Sequence, residues 1–340
     1  MKHVFLVHTH ITYIVAQSII ENLSLKKEEI FFISTRNYKI DVTSQIDLNT
    51  EFELLNNTSY SNFFLKWYLI KRIDEKLNNA NIDLYHIYLP HIAHPLFQIL
   101  GSNKKCYKIN IMEEGSNCLS YRLYNPEINI KKKLISLIFN KTGLWGQNRY
   151  FRVSSNSELK YFTKKTLPVF YGISSKSFQY VTDYEKQVIE IYQDQVISSR
   201  PIPDHASIVL LESIIEQDNL NSSVFFDSIE LMANKLNVEE VYLKFHPYQN
   251  TENRKQIIKI LEKYTIVNLI EDDVIMEKIF LYTKNLKVYG FTTSLLFYAK
   301  SFGHEAFSFA YLWKDDLKYK NYTRFNDFNI EEFVQSRNNN

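Results

Sequence analysis

The sequence predicts an α/β protein made of two successive units, each built on a parallel sheet covered by helices. Three observations point there. Short apolar runs alternate with helix-spaced runs from residue 4 to residue 112, and the alternation restarts at residue 207. The stretch between, about 164–205, holds Pro168, Pro201 and Pro203 in a polar, tyrosine-rich context. At 340 residues the chain is too long for one ordinary small core. The expected division is a first unit over residues 1–165, a linker region over 166–205 and a second unit over 206–340, with the two sheets facing a cleft.

The elements follow from residue spacing. Val4 to Val7 read as a buried strand, His8-Thr9-His10 as the loop after it, and Ile11 to Leu23 as a helix with Ile14, Ile19, Ile20 and Leu23 on its apolar face. Glu29 to Ser34 and Asp83 to Leu89 read as strands, Leu65 to Leu77 and His91 to Leu100 as helices. Cys106 to Met112 form a strand that runs into Glu113-Glu114-Gly115. Residues 128–139 set Lys131, Lys132 and Lys133 beside five apolar residues. A core-facing helix with a solvated charged turn is preferred there over a helix lying on an anionic membrane. Residues 150–154 read as a strand.

In the second half Ser207 to Leu211 form a strand. Ser223 to Leu236 form a helix, with Phe225, Ile229, Met232 and Leu236 along one face. Val241 to Phe245 form a strand that Pro247 must end, because proline has no N–H to give a ladder. Arg254 to Tyr264, Val274 to Tyr282 and Leu295 to Ser301 read as helices. Thr265 to Leu269, Leu286 to Tyr289 and Glu305 to Ala310 read as strands.

Composition excludes several classes. Net charge is +2, so charge gives no reason to expect nucleic acid. Only 7 glycines are present, and no glycine-rich dinucleotide or P-loop motif appears. Cys106 and Cys118 are too few for a disulfide framework or a four-cysteine zinc site, which fits a reducing compartment. The first apolar run is too short for a signal peptide, and no apolar window reaches membrane-spanning length, so a cytoplasmic protein is expected.

The candidate chemistry lies at strand ends, where open α/β sheets bind ligands. Lys244 and His246 offer a fixed positive charge and a titratable donor, which suits a phosphate. A surface lysine and a turn histidine is the plainer alternative. Glu113 and Glu114 are adjacent on an extended chain and point opposite ways, so only one should face a cleft, where it can act as a general base provided its surroundings raise its pKa; a turn with two solvated acids is the plainer alternative. Gly115 permits a tight turn. Thr292, Thr293 and Ser294 open a helix and suit an anion, although an ordinary N-cap explains them too. Glu212-Ser213 is a weaker candidate of the same kind. Glu271, after a strand, suits a ribose diol or simply a helix-start acid. His8-x-His10 is weighed as a metal pair, for which His205 and His246 offer no convincing further ligand set.

An acidic-acidic-Gly turn (Glu113, Glu114, Gly115), a Lys-x-His-Pro strand end (Lys244, His246, Pro247), an Ile-Glu-Asp segment at Ile270-Glu271-Asp272 and a Thr-Ser pair (Thr293, Ser294) occur in that order. In this the chain resembles the bacterial sialyltransferases, closest in arrangement to glycosyltransferase family 52. Ala16-Gln17 in the first helix is also similar to that family's start. The resemblance implies a GT-B-like fold with two Rossmann-like domains facing a central cleft, and inverting, metal-independent transfer from CMP-sialic acid with no cofactor. It implies Glu113 as the base, His246 at the CMP phosphate, and Lys244 and Glu271 at the nucleotide. Glu114 and Gly115 would shape the turn, and Thr293 and Ser294 would hold the phosphate, with Ser213, Pro247 and Thr292 beside them. Many relatives carry Asp where Glu114 stands, and the Thr-Ser pair replaces a commoner serine-rich one. The partners implied are a nucleotide-sugar donor and an oligosaccharide acceptor of a capsule, O-antigen or lipooligosaccharide. Contact with the membrane would be no more than peripheral to the inner face. A Kdo-, legionaminic- or pseudaminic-type donor, a metal-dependent hydrolase using His8 and His10, and a non-catalytic nucleotide-binding protein are the competing expectations.

Overall fold

The computed structural model describes residues 1–40, 42, 44–57, 63–119, 166–192, 202–325, 330 and 334–336. The readings at 128–139 and 150–154 lie outside these residues. The chain divides into two units, Met1–Tyr192 and Gln193–Asn340. Among the described residues no helix is long and apolar enough to cross a membrane.

The first unit holds a seven-stranded sheet in the order β3-β2-β1-β4-β5-β6-β7, with every neighbouring pair parallel. The strands are β1 Lys2–Val7, β2 Ile30–Ser34, β3 Gln45–Asp47, β4 Tyr85–Leu89, β5 Cys106–Met112, β6 Val169–Gly172 and β7 Glu185–Val188. The central strands are buried and almost wholly apolar: Val4 to Val7, Ile87 to Leu89 and Ile109 to Met112 are all sealed from solvent, with Asn110 the polar exception, accepting the Val169 N–H at 3.4 Å. Phe5 stacks on Tyr88 across the β1–β4 pair at 4.2 Å. The first helix, α1 at His10–Asn22, starts on a reciprocal cap. Thr9 Oγ1 accepts from the Thr12 N–H at 3.3 Å, and Thr12 Oγ1 accepts from the N–H groups of Thr9 and His8, both at 3.1 Å.

The second unit repeats the plan with six strands in the order β10-β9-β8-β11-β12-β13, again all parallel. They are β8 Ser207–Leu210, β9 Glu240–Lys244, β10 Ile266–Ile270, β11 Lys287–Gly290, β12 Glu305–Ser308 and β13 Gln335–Ser336. The helix Ser222–Leu236 buries Phe225, Ile229, Met232 and Leu236 in one core with Val241, Leu243, Phe291 and Trp313. Phe291 and Trp313 stack face to face at 4.3 Å.

In both sheets the strand order reverses once, between β1 and β4 and between β8 and β11. At such a reversal the helices leave the sheet to opposite faces, and a crevice opens at the strands' carboxyl ends. Residues 166–205, expected as a linker, contain β6 and β7 of the first sheet. The reason they escape a sequence reading is physical. β6 has only four residues after Pro168, and β7 is an edge strand, Glu-Lys-Gln-Val, with no apolar face to bury.

Gly172 ends β6 where a side chain has no room. A Cβ there would lie 2.4 Å from Ser177 Cβ and 3.3 Å from Glu113 Oε2. Gly172→Ala should therefore lower the unfolding free energy by about 1–3 kcal/mol, the usual cost of overpacking. Denaturant unfolding of the variant measures this, and an unchanged midpoint would show that the turn relaxes freely.

Candidate functional site

The carboxyl ends of the first sheet bring four segments together around Glu114. His8 follows β1, Arg36 follows β2, His91 follows β4 and Glu114 follows β5. His8 Nε2 hydrogen-bonds Glu114 Oε1, and Arg36 Nη1 reaches the same oxygen at 3.3 Å. Asn117 Nδ2 donates to Oε2 at 2.9 Å, with His91 Nε2 at 3.8 Å from it. Burial alone would raise the Glu114 pKa, but the His8 hydrogen bond and the charges of His8, His91 and Arg36 outweigh it and bring the carboxyl down to about 2. Burial lowers the His91 pKa to about 4 against the pull of Glu114, so the ring is neutral at pH 7 and adds its charge beside Glu114 only in acid. Its Nδ1 accepts the Ala93 N–H at 3.2 Å, which fixes the proton on Nε2, toward the carboxylate. Arg36 is the open member of the group, with 44% of its side chain exposed. Its backbone is left-handed, φ 56°, as is that of Asn37, which is rare outside glycine and concentrates at ligand-handling turns.

Glu113 points the other way, as two adjacent residues on an extended chain must. It is fully buried, and its Oε2 accepts the Ile173 N–H at 2.9 Å and the Ser177 hydroxyl at 2.5 Å. Glu113 thus ties the end of β5 to the end of β6. Gly115 supplies the turn between the two carboxylates and the following short helix, at φ 51°.

The second sheet gathers its polar groups in the same way. The Leu211 N–H donates to Lys244 O at 3.1 Å, so Glu212 leaves β8 beside the end of β9. On its other side Glu212 Oε1 accepts the Thr292 N–H at 2.5 Å and the Thr292 hydroxyl at 2.7 Å. Burial raises the Glu212 pKa to about 7 despite these two bonds. Its Oε2 is buried without a hydrogen-bond partner among the described residues. Thr293 caps the helix Ser294–Ser301 by accepting the Leu295 N–H at 3.3 Å. Gly290, just before, passes so near β8 that a Cβ would meet Leu210 O at 2.9 Å.

His246 sits in a turn that is braced from several sides. Its N–H donates to Gln249 Oε1 at 3.0 Å, and the Gln249 N–H returns to His246 O at 2.9 Å. The Arg254 guanidinium donates to His246 O at 3.1 Å and Gln249 O at 3.1 Å, and pairs with Asp272 at 2.9 Å. His246 Nδ1 accepts the Tyr248 N–H at 3.2 Å. The neutral ring therefore carries its proton on Nε2, as a donor. Partial burial lowers its pKa, so the neutral form dominates at pH 7; Glu216 opposes the shift and Arg254 adds to it. Lys244 is buried and its Nζ donates to the backbone carbonyl of Glu271, whose side chain is exposed.

Within the second unit, Lys244, His246, Pro247, Glu271 and Thr292 to Ser294 all lie at carboxyl strand ends, as the sequence expects. Lys244, however, is engaged in holding the β10 loop, and Ser213 is buried with its hydroxyl accepting from Gln217 at 2.9 Å. The two histidines weighed as a metal pair stand in different surroundings. His8 is buried against Glu114, while His10 is exposed with Nδ1 3.1 Å from the Tyr38 hydroxyl. His205 stands at a left-handed turn before β8. Among the described residues no group of His, Cys, Asp and Glu is arranged to hold a metal ion. Sequence reasoning missed Arg36, His91 and Arg254, which act only through partners distant in the chain. It underrated Glu212, whose place after β8 was the available signal.

No protein-family model matches the chain, and no curated protein matches its sequence. Solved structures do. A Listeria monocytogenes protein provisionally assigned as a UDP-N-acetylglucosamine 2-epimerase aligns at a TM-score of 0.51 and 10% identity, over 94% of this chain and 80% of its own. The spinosyn rhamnosyltransferase SpnG aligns at 0.50 and 9%, over 96% and 84%. A Photobacterium damsela sialyltransferase aligns at 0.49 and 12%, over 98% and 80%. At these identities the likeness is one of fold. The chain has the GT-B glycosyltransferase architecture of two Rossmann-like units.

The Glu114 carboxyl links this cluster to stability. Its pKa is depressed from 4.5 to about 2. Its contribution is therefore complete above the unfolded value and is lost as pH falls through the folded one. Glu114→Gln should be less stable than wild type at pH 7 by on the order of 3 kcal/mol. Urea unfolding at pH 7, 4.5 and 2.5 should show that difference shrinking below pH 4.5. A gap independent of pH would mean the carboxyl is not held ionised.

Proposed function

We propose that this chain is an inverting glycosyltransferase that moves a sialic acid from CMP to a sugar hydroxyl of a bacterial surface glycan. One observation carries the reading. The second unit presents His246 as an Nε2–H donor at the carboxyl edge of its sheet, in an edge that also carries the hydroxyl-bearing helix start Thr292-Thr293-Ser294. A donor imidazole and a helix N-terminus suit the phosphate of a nucleoside monophosphate leaving group.

The acceptor hydroxyl attacks the anomeric carbon as the bond from that carbon to the phosphate oxygen breaks, and the electron pair leaves with CMP. His246 and the Thr293-Ser294 helix start meet the charge that grows on the phosphate. Glu271 takes the ribose hydroxyls, and Lys244 fixes its backbone by bonding the Glu271 carbonyl. Pro247 ends β9 so that the His246 turn can form, and Ser213 and Thr292 shape the ends of β8 and β11. No step needs a metal.

The hydroxyl proton passes to the Glu113-Glu114-Gly115 turn. The resemblance gives the base to Glu113. The hydrogen bonds favour Glu114, which stands ionised among His8, Arg36 and His91 while Glu113 braces β6. The Glu114 pKa is lowered rather than raised as the sequence reading asks of a base, so the role rests on the attacking hydroxyl becoming strongly acidic as its bond to the anomeric carbon forms.

Thermal unfolding should show stabilisation by CMP but not by UMP or ADP. Glu114→Gln should abolish transfer and retain CMP binding, and His246→Ala should lower the rate by roughly two to three orders of magnitude. Wild-type turnover in Glu114→Gln, with loss of turnover in a stably folded Glu113→Gln, would return the base to Glu113. Equal stabilisation by all three nucleotides, or a loss under about threefold in kcat/KM for His246→Ala, would contradict the donor assignment.

A further inference from the structure

Tyr248 is the most exposed large hydrophobic or aromatic side chain among the described residues, at 79%. Its backbone is braced from several sides. The turn from His246 to Gln249 is closed on itself by the His246 and Gln249 bonds in both directions. It is fastened from outside by Arg254, which grips the carbonyls of His246 and Gln249 and is itself held by Asp272. The Arg254 guanidinium also lies 5.1 Å over the Phe245 ring. Asn250 then caps the next helix by accepting the Asn253 N–H at 2.8 Å. The phenol ring contributes nothing to the core, yet the chain holds its base rigid. A tyrosine has only two side-chain torsions, so a fixed backbone leaves little entropy to lose when the ring meets a partner.

The neighbouring group says what that partner is. The Tyr248 ring lies 5.4 Å from the His246 ring, centre to centre, at an angle of 36°. The Tyr248 N–H is what turns the imidazole proton onto Nε2. A phosphate held on that nitrogen carries its nucleobase one ribose away, and the Tyr248 ring stands within that span. A flat, neutral pyrimidine stacks well on a phenol face, and such stacking needs no charged partner. We infer that Tyr248 is the stacking platform for the pyrimidine base of the donor nucleotide. The inference rests on the nucleotide-sugar reading and deepens it. Tyr248 binds rather than catalyses, and it gives the site affinity for a base, while discrimination among pyrimidines is left to hydrogen-bonding groups. The same ring face would also suit the apolar side of an acceptor sugar, and the experiment separates the two.

The test compares wild type, Tyr248→Ala and Tyr248→Phe in the full chain. Calorimetry measures Kd for CMP and for ribose 5-phosphate, which has no base. Tyr248→Ala should bind CMP about 5- to 100-fold more weakly. Tyr248→Phe should stay within about twofold of wild type, since the ring face is kept. Ribose 5-phosphate affinity and the melting temperature should not change in either variant. If CMP binds wild type and Tyr248→Ala equally, the inference fails alone. If Tyr248→Ala raises KM for the acceptor and leaves CMP affinity intact, the ring serves the acceptor and the inference fails. If ribose 5-phosphate affinity falls as much as CMP affinity, the ring merely braces the turn, and the inference fails again. If wild type binds no CMP, the donor reading and this inference fall together.

Discussion

Every strand pair in both sheets is parallel, and the rest of the site follows from that constraint. A parallel sheet delivers all its carboxyl ends to one edge, so segments far apart in sequence must meet there. In the first unit this edge gathers residues 8, 36, 91 and 114. In the second it gathers residues 212, 246, 271 and 292. The single reversal of strand order in each sheet decides which ends flank the crevice. Glu212 and Thr292 follow the two strands on either side of the second reversal, and they hydrogen-bond across it.

Two buried carboxyls show how one fold shifts the same group in opposite directions. Glu114 meets donors from three other segments and stays ionised. Glu212 accepts from the hydroxyl and amide of Thr292, and burial raises it to about 7. The difference comes from the partners: cationic and hydrogen-bonding groups hold one carboxyl ionised, and burial with only neutral donors raises the other. The Lys244 bond to Glu271 and the Arg254 clamp on the His246 turn belong to the same design, since both fix backbone so that side chains arrive in place.

The fold was largely legible because its central strands are short and apolar and its helices carry regular spacing. Cys106 to Met112 is read with its true bounds, and Val241 to Phe245 within one residue at either end. What was hidden lacks that signal. β3 has three residues, β7 is an exposed edge strand, and the helix Leu317–Phe325 carries mostly polar residues. The site was legible at strand ends marked by Pro247, Gly115 and the Thr292-Thr293-Ser294 run. Local sequence says that adjacent Glu113 and Glu114 diverge, but only the fold says which meets His8 and which meets Ser177. Lys244 looked like a ligand for phosphate because its partner, a backbone carbonyl 27 residues on, has no signature.

The GT-B architecture serves many nucleotide sugars, so fold alone leaves the donor open, and the proposed donor rests on the roles proposed for the strand-end groups. The most direct measurement is nucleotide release from a panel of CMP-, UDP-, GDP- and TDP-linked sugars, offered with mixed oligosaccharide acceptors. The sialyltransferase reading predicts acceptor-dependent release of CMP from CMP-sialic acid and background rates for the others. Release of UDP, GDP or TDP in its place would contradict it.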